Sequence, residues 1–124
     1  GFRVRGFISD VGSNFVSLSK LLNVTIDAPF FYTDVLEQTM KIYYFFDICH
    51  LLKALRNNFL KYLFILECGQ IIDANYLHQF FERDQGRNLR LAPKLTRVHL
   101  HPGAFDKMKV KLAAQLFSNQ VATG

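Results

Sequence analysis

The sequence predicts an α/β start followed by a mainly α-helical remainder. Two apolar runs, residues 2–9 and 41–46, read as strands. Each ends in an aspartate, Asp10 or Asp47, and each is followed by apolar residues at helical spacing. Strand then helix, twice over, is the pattern of an α/β sheet.

The 124 residues and 14.4 kDa are one domain's worth of chain, and an apolar fraction of 50% with thirteen Phe suffices for an aromatic core. The net charge of +5 and pI near 9.4 point to a polyanionic partner. Cys49 and Cys68 form neither a disulfide framework nor metal-ligand spacing, and are expected to be buried thiols of a reducing compartment. There is no signal peptide and no apolar run of about eighteen residues, so no membrane span is expected. The sequence opens at Gly1 inside a strand pattern, without an initiator Met, and reads as a fragment of a longer protein.

In the first strand Phe2, Val4, Phe7 and Ile8 are apolar, while Arg3 and Arg5 are basic. Asp10 stands at its tip, and Gly12-Ser13-Asn14 lets the backbone turn sharply. Asp10 fits two roles, a turn or cap aspartate and a functional carboxylate. Phe15, Leu18, Leu21 and Leu22 give helical spacing up to Asn23. Residues 23–38, with Pro29 and little periodicity, are expected to form a loop or excursion. The second strand, ending in Phe46, leads to Asp47 and a helix over 48–59. Its wheel places Ile48, Leu51, Leu52, Leu55 and Phe59 on one face and His50, Lys53, Asn57 and Lys61 on the other. Asp47 is therefore either a helix N-cap or a functional carboxylate at a strand tip, with His50 one turn away.

Residues 60–66 continue apolar until Gly69, and Asp73 can cap a helix to about Arg83 with Leu77, Phe80 and Phe81 inward. Residues 84–88 (DQGRN) read as a loop. From Arg87 on, the basic residues Arg87, Arg90, Lys94, Arg97, Lys107, Lys109 and Lys111 are opposed only by Asp106. Such a run is either a solvated face or a polyanion surface. Phe105, Met108, Leu112 and Leu116 repeat at helical spacing, with Ala113 and Phe117 beside them. That wheel puts Lys109 inside the apolar stripe, where it must snorkel out or meet an anion. There is no GxxxxGK[ST], GxGxxG, CxxC, HExxH or GxSxG. His99 and His101 share one side of an extended segment, but with no third ligand nearby they read as surface or core-edge residues.

FISDVGSN, YYFFDICHLLKALRNNF and LAPKLTRVHLHPGAFDKMKVKLAAQLFS together resemble P element transposases, and the same body occurs in THAP-domain proteins derived from them. The resemblance runs in family order along nearly the whole chain. It implies an RNase H-like catalytic domain interrupted by an α-helical insertion that binds GTP. On that resemblance the chain is expected to divide into 1–64, with the strands, and 65–124, with further helices. In that family three acidic residues hold two Mg²⁺ ions. By resemblance Asp10 is the second of them, a catalytic residue and metal ligand, while the others lie outside this chain. Asp47 and His50 match an Asp-x-x-His signature beside the active site, with a supporting role. Lys94, Lys109 and Val110 match positions near the nucleotide.

The resemblance implies an intact protein that cuts and joins DNA, binding transposon ends and target, as a homo-oligomer in the nucleus with Mg²⁺ and GTP. The chemistry agrees, because two metal ions about 4 Å apart activate the attacking oxygen and stabilise the leaving one. One aspartate cannot build that centre, so the fragment alone is not expected to catalyse. The alternative is a domesticated or decayed copy acting as a DNA-binding or scaffold protein without catalysis.

Overall fold

The structure is a computed structural model and describes residues 3–35 and 38–123. It comprises two compact units, Gly1–Leu51 and Leu52–Gly124. Phe59 and Leu60, which precede the boundary expected at 64/65, pack on the core of the second unit.

In the first unit β1 (Gly6–Ser9) leads to α1 (Ser13–Leu21), then β2 (Phe30–Val35) and β3 (Gln38–Phe46). The sheet order is β1-β3-β2, with β1 parallel and β2 antiparallel to the central β3. β1 is shorter than the expected run, whose Phe2 lies outside the described residues. The expectation of a loop over 23–38 is corrected by β2, although Leu36 and Glu37 lie outside the described residues. Pro29 obscured this strand in the sequence, but it stands just before β2 and its carbonyl accepts the N–H of Tyr44 at 2.9 Å. Aromatic pairing explains the strand: Phe30 lies 6.0 Å from Tyr43 edge to face, and Lys41 Nζ sits 3.6 Å over the Phe30 ring. Along β3, Ile42 and Tyr44 are buried while Tyr43 and Phe45 are exposed, the alternation of a sheet covered on one face.

α2 (Ile48–Phe59) forms where expected, but with a different buried face. Ile48, Leu51 and Leu55 are exposed, and the helix residue that is fully buried is Arg56. Its Nη2 donates to the carbonyl oxygen of Lys107 at 2.6 Å, and its Nε donates to Asn57 Oδ1 at 2.7 Å. A wheel ranks side chains by hydropathy and cannot foresee carbonyls arriving from fifty residues downstream.

In the second unit a hairpin of β4 (Phe64–Ile65) and β5 (Ile71–Ile72) replaces the expected plain apolar continuation. Gly69 supplies its left-handed turn residue, with φ of 80°. α3 (Ala74–Gln85) begins as expected, with Asp73 Oδ1 accepting the N–H of Asn75 at 3.1 Å. Residues 84 and 85 belong to this helix, so the loop expected over 84–88 starts later. Asp84 is buried and accepts the N–H groups of Leu91 (2.7 Å) and Ala92 (3.2 Å) and Nε of Arg90 (3.3 Å). Arg90 in turn donates to the carbonyl of Leu95 at 2.7 Å, so it builds the fold and leaves the basic surface. α4 (Arg97–Leu100), a 3₁₀ turn (Asp106–Met108), α5 (Val110–Leu116) and α6 (Asn119–Ala122) complete the chain. Phe81, Ala92, Leu95, Leu100 and Leu116 form the core, with Leu77 and Phe80 packed against it.

Three smaller expectations are corrected. Cys49 and Cys68 are exposed, not buried. His99 and His101 do not lie on an extended segment: His99 is buried in α4, where its Nδ1 meets Thr96 and its Nε2 lies 3.1 Å from Gln115 Oε1. His101 instead lies against His78, ring centres 5.0 Å apart. The single helix expected from Phe105 breaks at Lys109, whose ψ of 112° is extended, so the wheel that buried this lysine does not continue through it.

Candidate functional site

Ser9 pairs with Phe46 across the parallel β1/β3 ladder, and Asp10 and Asp47 follow them. The N–H of Asp47 donates to the carbonyl of Ser9 at 2.7 Å, which fixes the two strand ends in register. The two carboxylates therefore stand at the carboxyl ends of neighbouring strands of one sheet, as two strands each ending in Asp predict. Beneath them Ser9 Oγ lies 2.8 Å from the buried Tyr44 hydroxyl, which reaches the carbonyl of Phe15 at 3.1 Å. That chain ties the β1 tip, the central strand and the first turn of α1 together.

Asp10 is exposed, and its Oδ1 accepts the N–H of Gly12 at 2.8 Å. The bond closes an Asx-type turn and aims the carboxylate. A Cβ at Gly12 would lie 2.8 Å from that same oxygen. Its φ of −63° is ordinary, so glycine serves here for space and not for backbone freedom. Gly12→Ala should displace the Asp10 carboxylate while costing only about 1 kcal/mol of stability. The check is a melting temperature lowered by only about 5 °C together with a shifted Asp10 side-chain carboxyl resonance; an unmoved resonance counts against the turn's role.

Asp47 is a helix cap that also bonds a histidine. Its Oδ1 accepts the N–H of Cys49 at 2.9 Å, a cap of α2, while its Oδ2 lies 2.5 Å from His50 Nδ1. The second bond fixes the imidazole's orientation through Nδ1. As for a metal, Asp10 is a hard oxygen donor suited to a divalent cation. Among the described residues no group of three or more His, Cys, Asp and Glu side chains could hold one.

The lysines singled out in the second unit lie before two packed helices. Lys94 is exposed two residues ahead of Thr96, the N-cap of α4. Lys109 is the N-cap residue of α5, with Val110 its first helical residue. α4 and α5 are joined by the His99–Gln115 contact. Lys109 is 61% exposed and its Nζ donates to Asp106 Oδ1 at 2.8 Å. That bond is the largest influence holding the Asp106 carboxyl below the usual carboxylate range. Lys109 thus snorkels to an internal carboxylate, and an arriving phosphate would compete with Asp106 for it. Both lysines offer exposed ammonium donors, which suits a phosphate. Sequence reasoning missed Arg56 altogether; the signal available was a lone arginine among amides at the end of a helix.

The profile of the family described as TNP-like, GTP-binding insertion domain matches residues 49–124. Over 99% of its length the chain is 26% identical to the transposable element P transposase of Drosophila melanogaster, of which it covers 16%. It is 29% identical to DNA transposase THAP9 of Homo sapiens over 99% of the chain and 14% of that protein. The chain therefore spans about a sixth or less of the curated relatives it matches. Among solved structures, the Drosophila P element transposase strand transfer complex matches 99% of the chain and 27% of its own, with a TM-score of 0.85 and 27% identity.

Proposed function

This chain belongs to the TNP-like, GTP-binding insertion domain family, and from that premise we propose that it is an internal piece of a P element-type transposase. Residues 1–64 would carry part of an RNase H-like catalytic half, and 65–124 the start of the GTP-binding insertion. The likeness along the whole chain to one transposase structure carries this reading.

In the intact protein Asp10 would be one carboxylate ligand of a Mg²⁺ pair, held in direction by the Gly12 N–H. Bound there, the metal supplies Lewis-acid stabilisation of the reacting phosphodiester oxygens. Asp47 would act indirectly, capping α2 and holding the His50 ring with one carboxylate. Lys94, Lys109 and Val110 would meet the nucleotide, the two ammonium groups binding phosphate. Transposon-end and target DNA, assembly as a homo-oligomer and work in the nucleus complete the proposal.

The nucleotide assignment is tested with Lys94→Ala and Lys109→Ala in the full-length protein. A lost charge-assisted phosphate contact should weaken GTP binding by about ten- to a hundredfold. Wild-type GTP affinity in both variants, with DNA affinity lost in a salt-dependent way, would instead make the basic third a DNA surface.

A further inference from the structure

Independently of the nucleotide reading, the end of α2 and residues 100–107 enclose a cleft of about 520 Å³. Its wall includes Asn57, Lys61, Tyr62, His101 and Lys107 over an apolar base that includes Leu60. Among the described residues no carboxylate lines it. Neither Lys94 nor Lys109 does so either.

The buried Arg56 touches two of these wall residues, through the Asn57 side chain and the Lys107 carbonyl. Its bond to Asn57 Oδ1 leaves the Asn57 Nδ2 hydrogens as the donors available to the cleft. Arg56 is fully buried, and its Nη1 is the one buried side-chain nitrogen or oxygen without a hydrogen-bond partner among the described residues. Among the described residues no carboxylate bonds the guanidinium; the nearby Asp106 carboxylate is engaged by Lys109. Of the cations, Lys61 and Lys107 line the cleft and Arg56 lies against its wall, while Lys109 stands outside it, paired with Asp106.

The competing explanation is that these cations serve the carbonyl end of α2. That end is worth only about half a negative charge, and the Arg56 and Asn58 carbonyls already accept the N–H groups of Leu60 and Lys61. The cleft stays strongly positive after that allowance. Its volume lies within the roughly 300–1,000 Å³ of small-ligand sites.

We propose that this cleft is a second phosphate-binding site, taking the phosphate of a nucleotide, either free or within a nucleic-acid strand. Lys61 and Lys107 would supply charge, Asn57 a fixed amide donor, and Leu60 and Tyr62 an apolar wall for the attached group.

The test is amide-resolved NMR titration of this chain with inorganic pyrophosphate, GTP and a short mixed-sequence DNA oligonucleotide. The amides of Lys61, Tyr62, Gly103 and Lys107 should shift together and saturably. Lys61→Gln and Lys107→Gln should each weaken that binding at least about fivefold, while Lys20→Gln, an exposed lysine of the first unit, leaves it within twofold. Loss for pyrophosphate and GTP assigns a free nucleotide; loss confined to the oligonucleotide assigns a strand. No saturable shift in the wild type, or the Lys61→Gln/Lys107→Gln double variant binding like wild type, overturns the site. Should the chain alone give an undispersed spectrum, calorimetry of the double variant in the full-length protein decides by the same criteria. A loss seen for Lys94→Gln and Lys109→Gln but not for Lys61→Gln and Lys107→Gln would leave the nucleotide reading standing and this one refuted.

Discussion

Asp84→Ala is expected to lower the melting temperature of the second unit by roughly 10–20 °C, the scale of breaking a buried charged network in a small domain. The carboxylate accepts from two backbone N–H groups and from Arg90, and Arg90 reaches on to the Leu95 carbonyl. Alanine would leave all three donors facing a buried methyl group and release the turn that seats Ala92 and Leu95 in the core. Asp73→Ala is the control: it loses the exposed cap bond of α3 and an exposed side-chain bond from the same Asn75, and should cost only about 5 °C. Burial pushes the Asp84 carboxyl up, but the Leu91 and Ala92 amides and Arg90 outweigh it, so its pKa lies below the usual range. The unfolded chain therefore takes up this proton first as pH falls. The stabilisation is present above the unfolded value near pH 4 and is lost below it, as pH passes down through the folded value. Circular dichroism melts at pH 7 and pH 3 check both parts. An Asp84→Ala protein that melts like wild type at pH 7 would show that the network carries no stability.

The elements with strong periodicity were legible, and those held by single distant contacts were not. β3, α1, α2 and α3 follow from apolar spacing and from the Asp47 and Asp73 caps, which are local signals. β2 was hidden because Pro29 and Asp34 interrupt the pattern, while what holds it is its pairing with β3. The β4/β5 hairpin has two residues per strand, too few for any period to register. Helical wheels erred twice, and for one reason: they assume a continuous helix whose partner is apolar. At Arg56 the partner is a pair of backbone carbonyls, and at Lys109 the helix is interrupted. The strand-tip pair was legible because strand, aspartate and helix are contiguous in sequence. That Asp47 both caps α2 and holds His50 could not be read from spacing, which offered a cap or a functional carboxylate and placed His50 one turn away.

Asp10→Ala in the full-length protein should reduce Mg²⁺-dependent DNA cleavage by at least about a thousandfold, the effect of losing several kcal/mol of transition-state stabilisation. Asp10 is exposed and placed by one backbone bond, so its removal should leave the fold intact. DNA affinity should change little, because affinity rests on many phosphate contacts and not on one metal ligand. Asp47→Asn should be milder, about tenfold, since asparagine keeps an oxygen for the Cys49 N–H while weakening the hold on His50. The two variants together separate a metal ligand from a positioning residue. The assays are cleavage of a labelled transposon-end duplex and binding of the same duplex in Ca²⁺, at one fixed salt concentration. Cleavage by Asp10→Ala at near wild-type rate would remove Asp10 from the metal centre. Loss of DNA binding in parallel with cleavage would instead make the β1 tip part of the DNA surface. Equal, large losses for Asp10→Ala and Asp47→Asn with binding preserved would move Asp47 from support to direct ligation.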